Sequence, residues 1–169
     1  MCGGALCATP VDGRERPRCN GCGFVLYLNP ASASCAVVVR EREVCLVRRR
    51  IEPYRGHWTL PAGFQEYDET PRETAVREVR EECGLDVEIL GLFDVLYTRD
   101  DARKRGNLAV FLARPVGGEL RAGKEESDAA FFPIADLPDA IGFENNRRIL
   151  EEVRRRAHAS PGWPLDEIR

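Results

Sequence analysis

No apolar run in this 169-residue chain approaches the ~20 residues needed to cross a bilayer, and the N-terminus has neither the charged region nor the apolar core of a signal peptide. A surplus of positive charge is missing too. With 25 Lys and Arg against 28 Asp and Glu the net charge is −3, so neither nucleic acid nor a membrane surface is an expected partner. Internal repeats and low-complexity segments are absent. Branched aliphatics are scarce before Pro30, where Cys, Gly, Pro and Arg dominate, so residues 1–30 cannot build a core unaided. Seven cysteines, an odd number, exclude a complete disulfide framework. A reducing, cytoplasmic setting with thiols or metal ligands is therefore expected.

What is present suits one ordinary soluble domain with a small appendage: 43% hydrophobic and 31% charged residues. Cys35, Cys45 and Cys83 lie in apolar patterns and read as small core residues. Cys19-Asn-Gly-Cys22-Gly23 has the spacing of a zinc knuckle, in which backbone amides turn toward thiolate sulfur. Its upstream partner, Cys2-Gly3-Gly4, resembles a knuckle short of its first cysteine, so Cys7 or a residue before Met1 completes a structural Zn²⁺ site. The alternative is an arm with free thiols.

The pattern then predicts a short strand at Phe24–Leu28, a turn at Asn29-Pro30 and a hairpin of Ser34–Val39 with Val44–Val47. Arg48, Arg49 and Arg50 close the hairpin, either as a solvated strand end or as an anion contact. His57 and Trp58 read as structural. Leu85–Tyr97 is a long strand broken at Gly91, Thr98–Gly106 a loop, Asn107–Arg114 a strand and Pro115–Gly118 a turn. Glu119–Asp128 is a second loop, Ala129–Pro133 the last strand, and Phe143–Ala157 an amphipathic helix with Ile149, Leu150 and Val153 inward. In the tail, residues 158–169, Trp163 packs on the domain or mediates a homodimer.

Gly63–Leu85 organises the rest. Six glutamates fall between Glu66 and Gly84. Thr70 can cap a helix, Pro71 fits its first turn and Gly84 ends it, which predicts a helix over Pro71–Cys83. At about 100° per residue, Glu78, Glu81 and Glu82 share one face while Ala75, Val76, Val79 and Cys83 share another. Like charges at those spacings repel unless a hard cation such as Mg²⁺ gathers their oxygens. Attack by a metal-activated water also calls for a base or a further ligand from elsewhere in the chain.

The spacing of Gly63, Glu69, Arg77, Glu78, Val79, Glu81, Glu82, Gly84 and Leu85 resembles the signature of the Nudix hydrolases at every specified position. Gly56-His57-Trp58 before Leu60-Pro61-Ala62-Gly63 is similar to the segment leading into that signature. The resemblance implies an α/β/α sandwich with a mixed sheet over residues 31–157, Mg²⁺ or Mn²⁺ on Glu78, Glu81 and Glu82, and Arg77 paired with Glu69. Catalytic residues would be Glu81, Glu82, Arg77 and Glu126; the resemblance implies a base or further ligand from a downstream loop or strand, for which Glu126 is the best match and Glu125 the near alternative. The knuckle, Asn29-Pro30 and the downstream Glu126-Ser127 resemble zinc-ribbon members of the family, among them FAD and ADP-ribose pyrophosphatases. The implied reaction is cleavage of a nucleoside diphosphate linked to another group, with AMP released. A nucleoside triphosphate pyrophosphohydrolase and a non-catalytic nucleotide sensor are the alternatives, and the Ser-Gln-Pro-Trp motif of NADH pyrophosphatases is not found.

Overall fold

An Asp12-Gly13 pair starts the folded chain. Both residues take positive φ, 52° and 75°, which matches the twist of a two-residue hairpin turn. β1 (Leu6–Val11) therefore pairs antiparallel with β2 (Arg14–Cys19), from Leu6 opposite Cys19 to Val11 opposite Arg14. The computed structural model describes residues 2–98, 105–160 and 162–164, and divides into two units, residues 1–30 and 31–169. Among the described residues of the first unit only Cys19 is buried, as its composition requires. The strand expected at Phe24–Leu28 does not form; Val25 makes one isolated bridge to Arg18. Its alternation had no core to face: Phe24, Tyr27 and Leu28 stay exposed, and the Arg16 guanidinium stacks 4.6 Å from the Tyr27 ring centre.

The second unit is a mixed sheet between two helices. Its strands are β3 (Ala31–Arg40), β4 (Glu43–Arg49), β5 (Trp58–Thr59), β6 (Ala62–Phe64), β7 (Leu85–Thr98), β8 (Gly106–Gly118) and β9 (Glu126–Pro133). The central order is β5-β4-β3-β8-β7, with β6 on β3 and β9 on β4. Only β3 and β8 run parallel among these pairings. The period of two divides β3 between two cores. Val37 and Val39 face α2 (Glu144–Ala159) with its Ile149, Leu150 and Val153, while Ala36 and Val38 face α1 (Pro71–Cys83) with its Ala75, Val79 and Cys83. This is the sandwich expected from the sequence.

The β3–β4 hairpin pairs at only two positions, Val39–Val44 and Arg40–Glu43. Beyond them the strands part. Residues 58–64 fill the gap: β5 bonds to Val47 and Arg48 of β4, and β6 to Ala33–Cys35 of β3. Leu60 is buried in this wedge, where its N–H donates to the Asn146 Oδ1 of α2 at 2.7 Å.

Three expectations change. Pro115–Gly118 continues β8 instead of turning, because β3 stops pairing at Ala113 and the proline there has β7 as its only partner strand. The last strand starts earlier, at Glu126. β7 is one strand of 14 residues whose register shifts between Ile89 and Gly91, so the break at Gly91 is a bulge. The expected loop at Thr98–Gly106 falls mostly outside the described residues. Trp163 is buried among Ile149, Val153 and their neighbours, so it packs on the domain.

Candidate active site

α1 begins with a reciprocal capping box. Thr70 Oγ1 accepts from the Glu73 N–H, and Glu73 accepts from the Thr70 N–H at 2.8 Å. Gly84, in the left-handed region, closes the other end. With its ends so defined, the helix is set in rotation by buried Ala75, Val79 and Cys83 against the sheet, and with it the face that carries Glu78, Glu81 and Glu82.

Arg77 is the hub. Its Nε and Nη2 donate to the two oxygens of Glu69 at 2.6 and 3.0 Å, the pair the family resemblance implied. Nη2 also donates to the Phe64 carbonyl at 3.0 Å, and Nη1 to Glu78 at 2.5 Å and Glu81 at 3.3 Å. The guanidinium holds the Glu69 carboxyl far below the usual carboxylate range, at about 2. Thr74 Oγ1 donates to Glu69 as well, at 3.0 Å. The loop before the helix is thereby locked to its middle.

The three helix glutamates differ in setting. Glu81 is 60% exposed, whereas Glu78 is buried against Gly63, where a Cβ would overlap its carboxylate. Glycine is the residue this approach permits. Glu82 accepts from the Ala62 N–H at 2.9 Å. Burial pushes its carboxyl up to about 9, with Glu126 and Glu78 adding repulsion. Burial raises Glu78 too, against the pull of Arg77.

Glu126 is 3% exposed at the start of β9, opposite Arg49, where the β4–β9 register slips. Burial and the neighbouring Glu125 raise its carboxyl. Glu125 itself is exposed, so of the two candidates Glu126 is the one turned inward. Within the basic cluster, Arg48 and Arg49 donate to the carbonyls of Gly56 and Pro53 at 2.9 and 2.8 Å, and Arg49 draws down both Glu82 and Glu126. Asn146, which ties α2 to the wedge, carried no signal: one polar residue in an amphipathic helix reads as surface.

The donor set fits a hard divalent cation. It is all oxygen, with two raised carboxyls on one helix face and a cradle kept clear at Gly63. Among the described residues no three of these carboxylates bring oxygens within 4.8 Å of one another, and Arg77 bonds both Glu78 and Glu81. Among the described residues only Cys2, Cys19 and Cys22 meet that distance. Gly4 N–H points at Cys2 Sγ, 3.4 Å away, and the backbone N–H of Cys22, with the Cys2 thiol, lowers Cys19 to about 7. Cys7, expected as a fourth ligand, is not in the cluster. Strand alternation turns it to the face opposite Cys19, where it accepts from the Asn20 amide at 3.1 Å.

A mixed sheet between two helices carries a doubly capped helix that presents glutamates beside a buried strand glutamate. A family model of the NUDIX domain matches residues 28–153, three quarters of the chain. The chain belongs to the Nudix hydrolase family. It is 36% identical over 133 residues to the ADP-ribose pyrophosphatase of Methanocaldococcus jannaschii, covering 78% of each chain. It is 40% identical to the 8-oxo-dGDP phosphatase of Homo sapiens over 121 residues, 69% of this chain and 36% of that one. A Nudix hydrolase crystal structure from Nitrosomonas europaea superposes with a TM-score of 0.85 at 31% identity, covering 95% of this chain and 91% of that chain.

Proposed function

We propose that the chain hydrolyses the diphosphate of a nucleoside diphosphate linked to a second group, ADP-ribose or FAD, and releases AMP. The observation that carries this reading is the packing of Glu78 and Glu82 on one helix face with buried Glu126 beside them, three carboxyls raised by burial. Such a set is costly without a cation and a substrate to bring together. The archaeal relative named as an ADP-ribose pyrophosphatase supports the substrate class.

Glu78, Glu81 and Glu82 would hold Mg²⁺ or Mn²⁺. When bound, a divalent ion there supplies charge neutralisation of the diphosphate and a lower pKa for a coordinated water. The protein's own part is positional. Arg77 holds Glu78 in its Gly63 cradle, the Ala62 N–H orients Glu82, and Glu126 accepts the proton of the attacking water. Arg49 faces the carboxylates as the local positive charge for a phosphate oxygen.

A panel of nucleotides with Mg²⁺, scored for AMP, tests the assignment. Turnover of ADP-ribose or FAD is expected; activity confined to nucleoside triphosphates would move the reading to a triphosphate pyrophosphohydrolase. Glu82→Gln separates enzyme from sensor, since turnover should fall by orders of magnitude while a sensor keeps its nucleotide affinity.

The cysteine cluster is a separate structural site for zinc. Its ligands from the described residues are Cys2, Cys19 and Cys22. Protein purified without chelators should hold about one zinc per chain, and Cys19→Ser should lose it with the Mg²⁺-dependent site intact. Metal-free protein from such a preparation speaks against the site.

A further inference from the structure

Two half-buried aromatic side chains belong to neither core. The ring centres of Tyr54 and Phe143 lie 4.7 Å apart, tilted by 58°, and His57 meets Tyr54 edge-on at 5.7 Å. Both Tyr54 and Phe143 have positive φ, 64° and 56°, with ψ 136° at Phe143. Bulky residues rarely adopt that conformation, and it persists only where the surroundings over-determine it. Here they do: the His57 N–H donates to the Tyr54 carbonyl at 3.0 Å, and the Gly142 N–H to the Trp58 carbonyl at 2.9 Å. Neither stretch is a loose loop end.

The position of the pair is as informative as its strain. Arg49 joins it to the carboxylates. Its guanidinium carbon stands 5.2 Å from the Phe143 ring centre, its Nε is anchored on the Pro53 carbonyl, and its charge reaches Glu82 and Glu126. A flat ring set and a cation beside the metal-binding carboxylates reproduce, in order, what a nucleotide needs: a stacking face for the base and a positive charge for its phosphate.

We infer that Tyr54 and Phe143 form the nucleobase subsite, stacking the base of the substrate while Arg49 meets the phosphate next to it. This deepens the proposed function and rests on a nucleotide being the substrate. Because stacking reads any aromatic base, discrimination among bases lies elsewhere, and the pair selects nucleotides over sugar phosphates.

Binding of AMP and of ribose 5-phosphate to the full-length protein, measured calorimetrically without divalent metal, tests the subsite apart from turnover. AMP should bind at least about tenfold more tightly to the unaltered protein, the worth of one base on aromatic rings. Tyr54→Gly and Phe143→Gly, which keep the positive φ accessible, should erase most of that difference, and Tyr54→Phe should retain it. Tyr54→Leu and Phe143→Leu, which remove the ring and keep apolar bulk, give the same reading if the glycine variants do not fold. Equal affinity of the unaltered protein for the two ligands, or a base-dependent difference that survives in the ring-deleted variants, overturns the subsite. A panel without any nucleotide turnover defeats the proposed function instead.

Discussion

Burial of Glu82 sets charge against position. Its raised carboxyl, at about 9, means that the folded chain disfavours the anion, so its contribution to stability falls as pH rises from 4.5 toward 9. Glu82→Gln should therefore raise the melting temperature of the metal-free protein, more at pH 8 than at pH 5, while removing turnover. Glu69 behaves in the opposite sense. Held at about 2 by Arg77, it contributes stability that is fully present above its ordinary 4.5 and lost as pH falls through 2. Melting temperatures of the unaltered chain and Glu69→Gln should differ at neutral pH and converge near pH 2. Arg77→Lys cannot span both Glu69 oxygens and the Phe64 carbonyl, and urea unfolding should show a loss of about 1–3 kcal/mol.

α1 shows why part of this architecture was legible in the sequence. Thr70, Pro71 and Gly84 carry local physics, capping and backbone preference, so both ends of the helix and the carboxylate face could be read before any contact was known. Thr70→Ala should cost about 1 kcal/mol in unfolding measurements, the usual worth of such a cap. The strands with errors are those whose fate depends on neighbours. Phe24–Leu28 alternated correctly but met no core, and Pro115 read as a breaker although β8 has a free side there. In the site, the helix chemistry called only for a further carboxylate; Glu126 was picked out by the family resemblance, and its burial needed the fold. Gly63 was legible only as a signature residue, and its reason, the space it leaves for Glu78, needed the fold. That Cys7 stands apart from Cys2, Cys19 and Cys22 was not legible, because spacing along a chain does not say which face of a strand a thiol takes.

Across the whole molecule, one sheet serves two cores, and α2 closes the one that contains Trp163. Trp163→Ala should lower stability by about 3–5 kcal/mol, visible as a shifted denaturation midpoint without a change in metal dependence. The parted β3 and β4 have a consequence at the same scale. Glu78 and Glu82 are seated against Gly63 and Ala62 of β6, which pairs with β3, while Glu126 and Arg49 lie on β9 and β4. The two strands meet directly only at the Val39–Val44 end, like the jaws of a caliper, and residues 58–64 are the spacer that sets its opening. The gauge is then written in backbone: β5 and β6 hold the jaws apart through their pairing with β4 and β3, while the Leu60 side chain pins that segment to the core under α2.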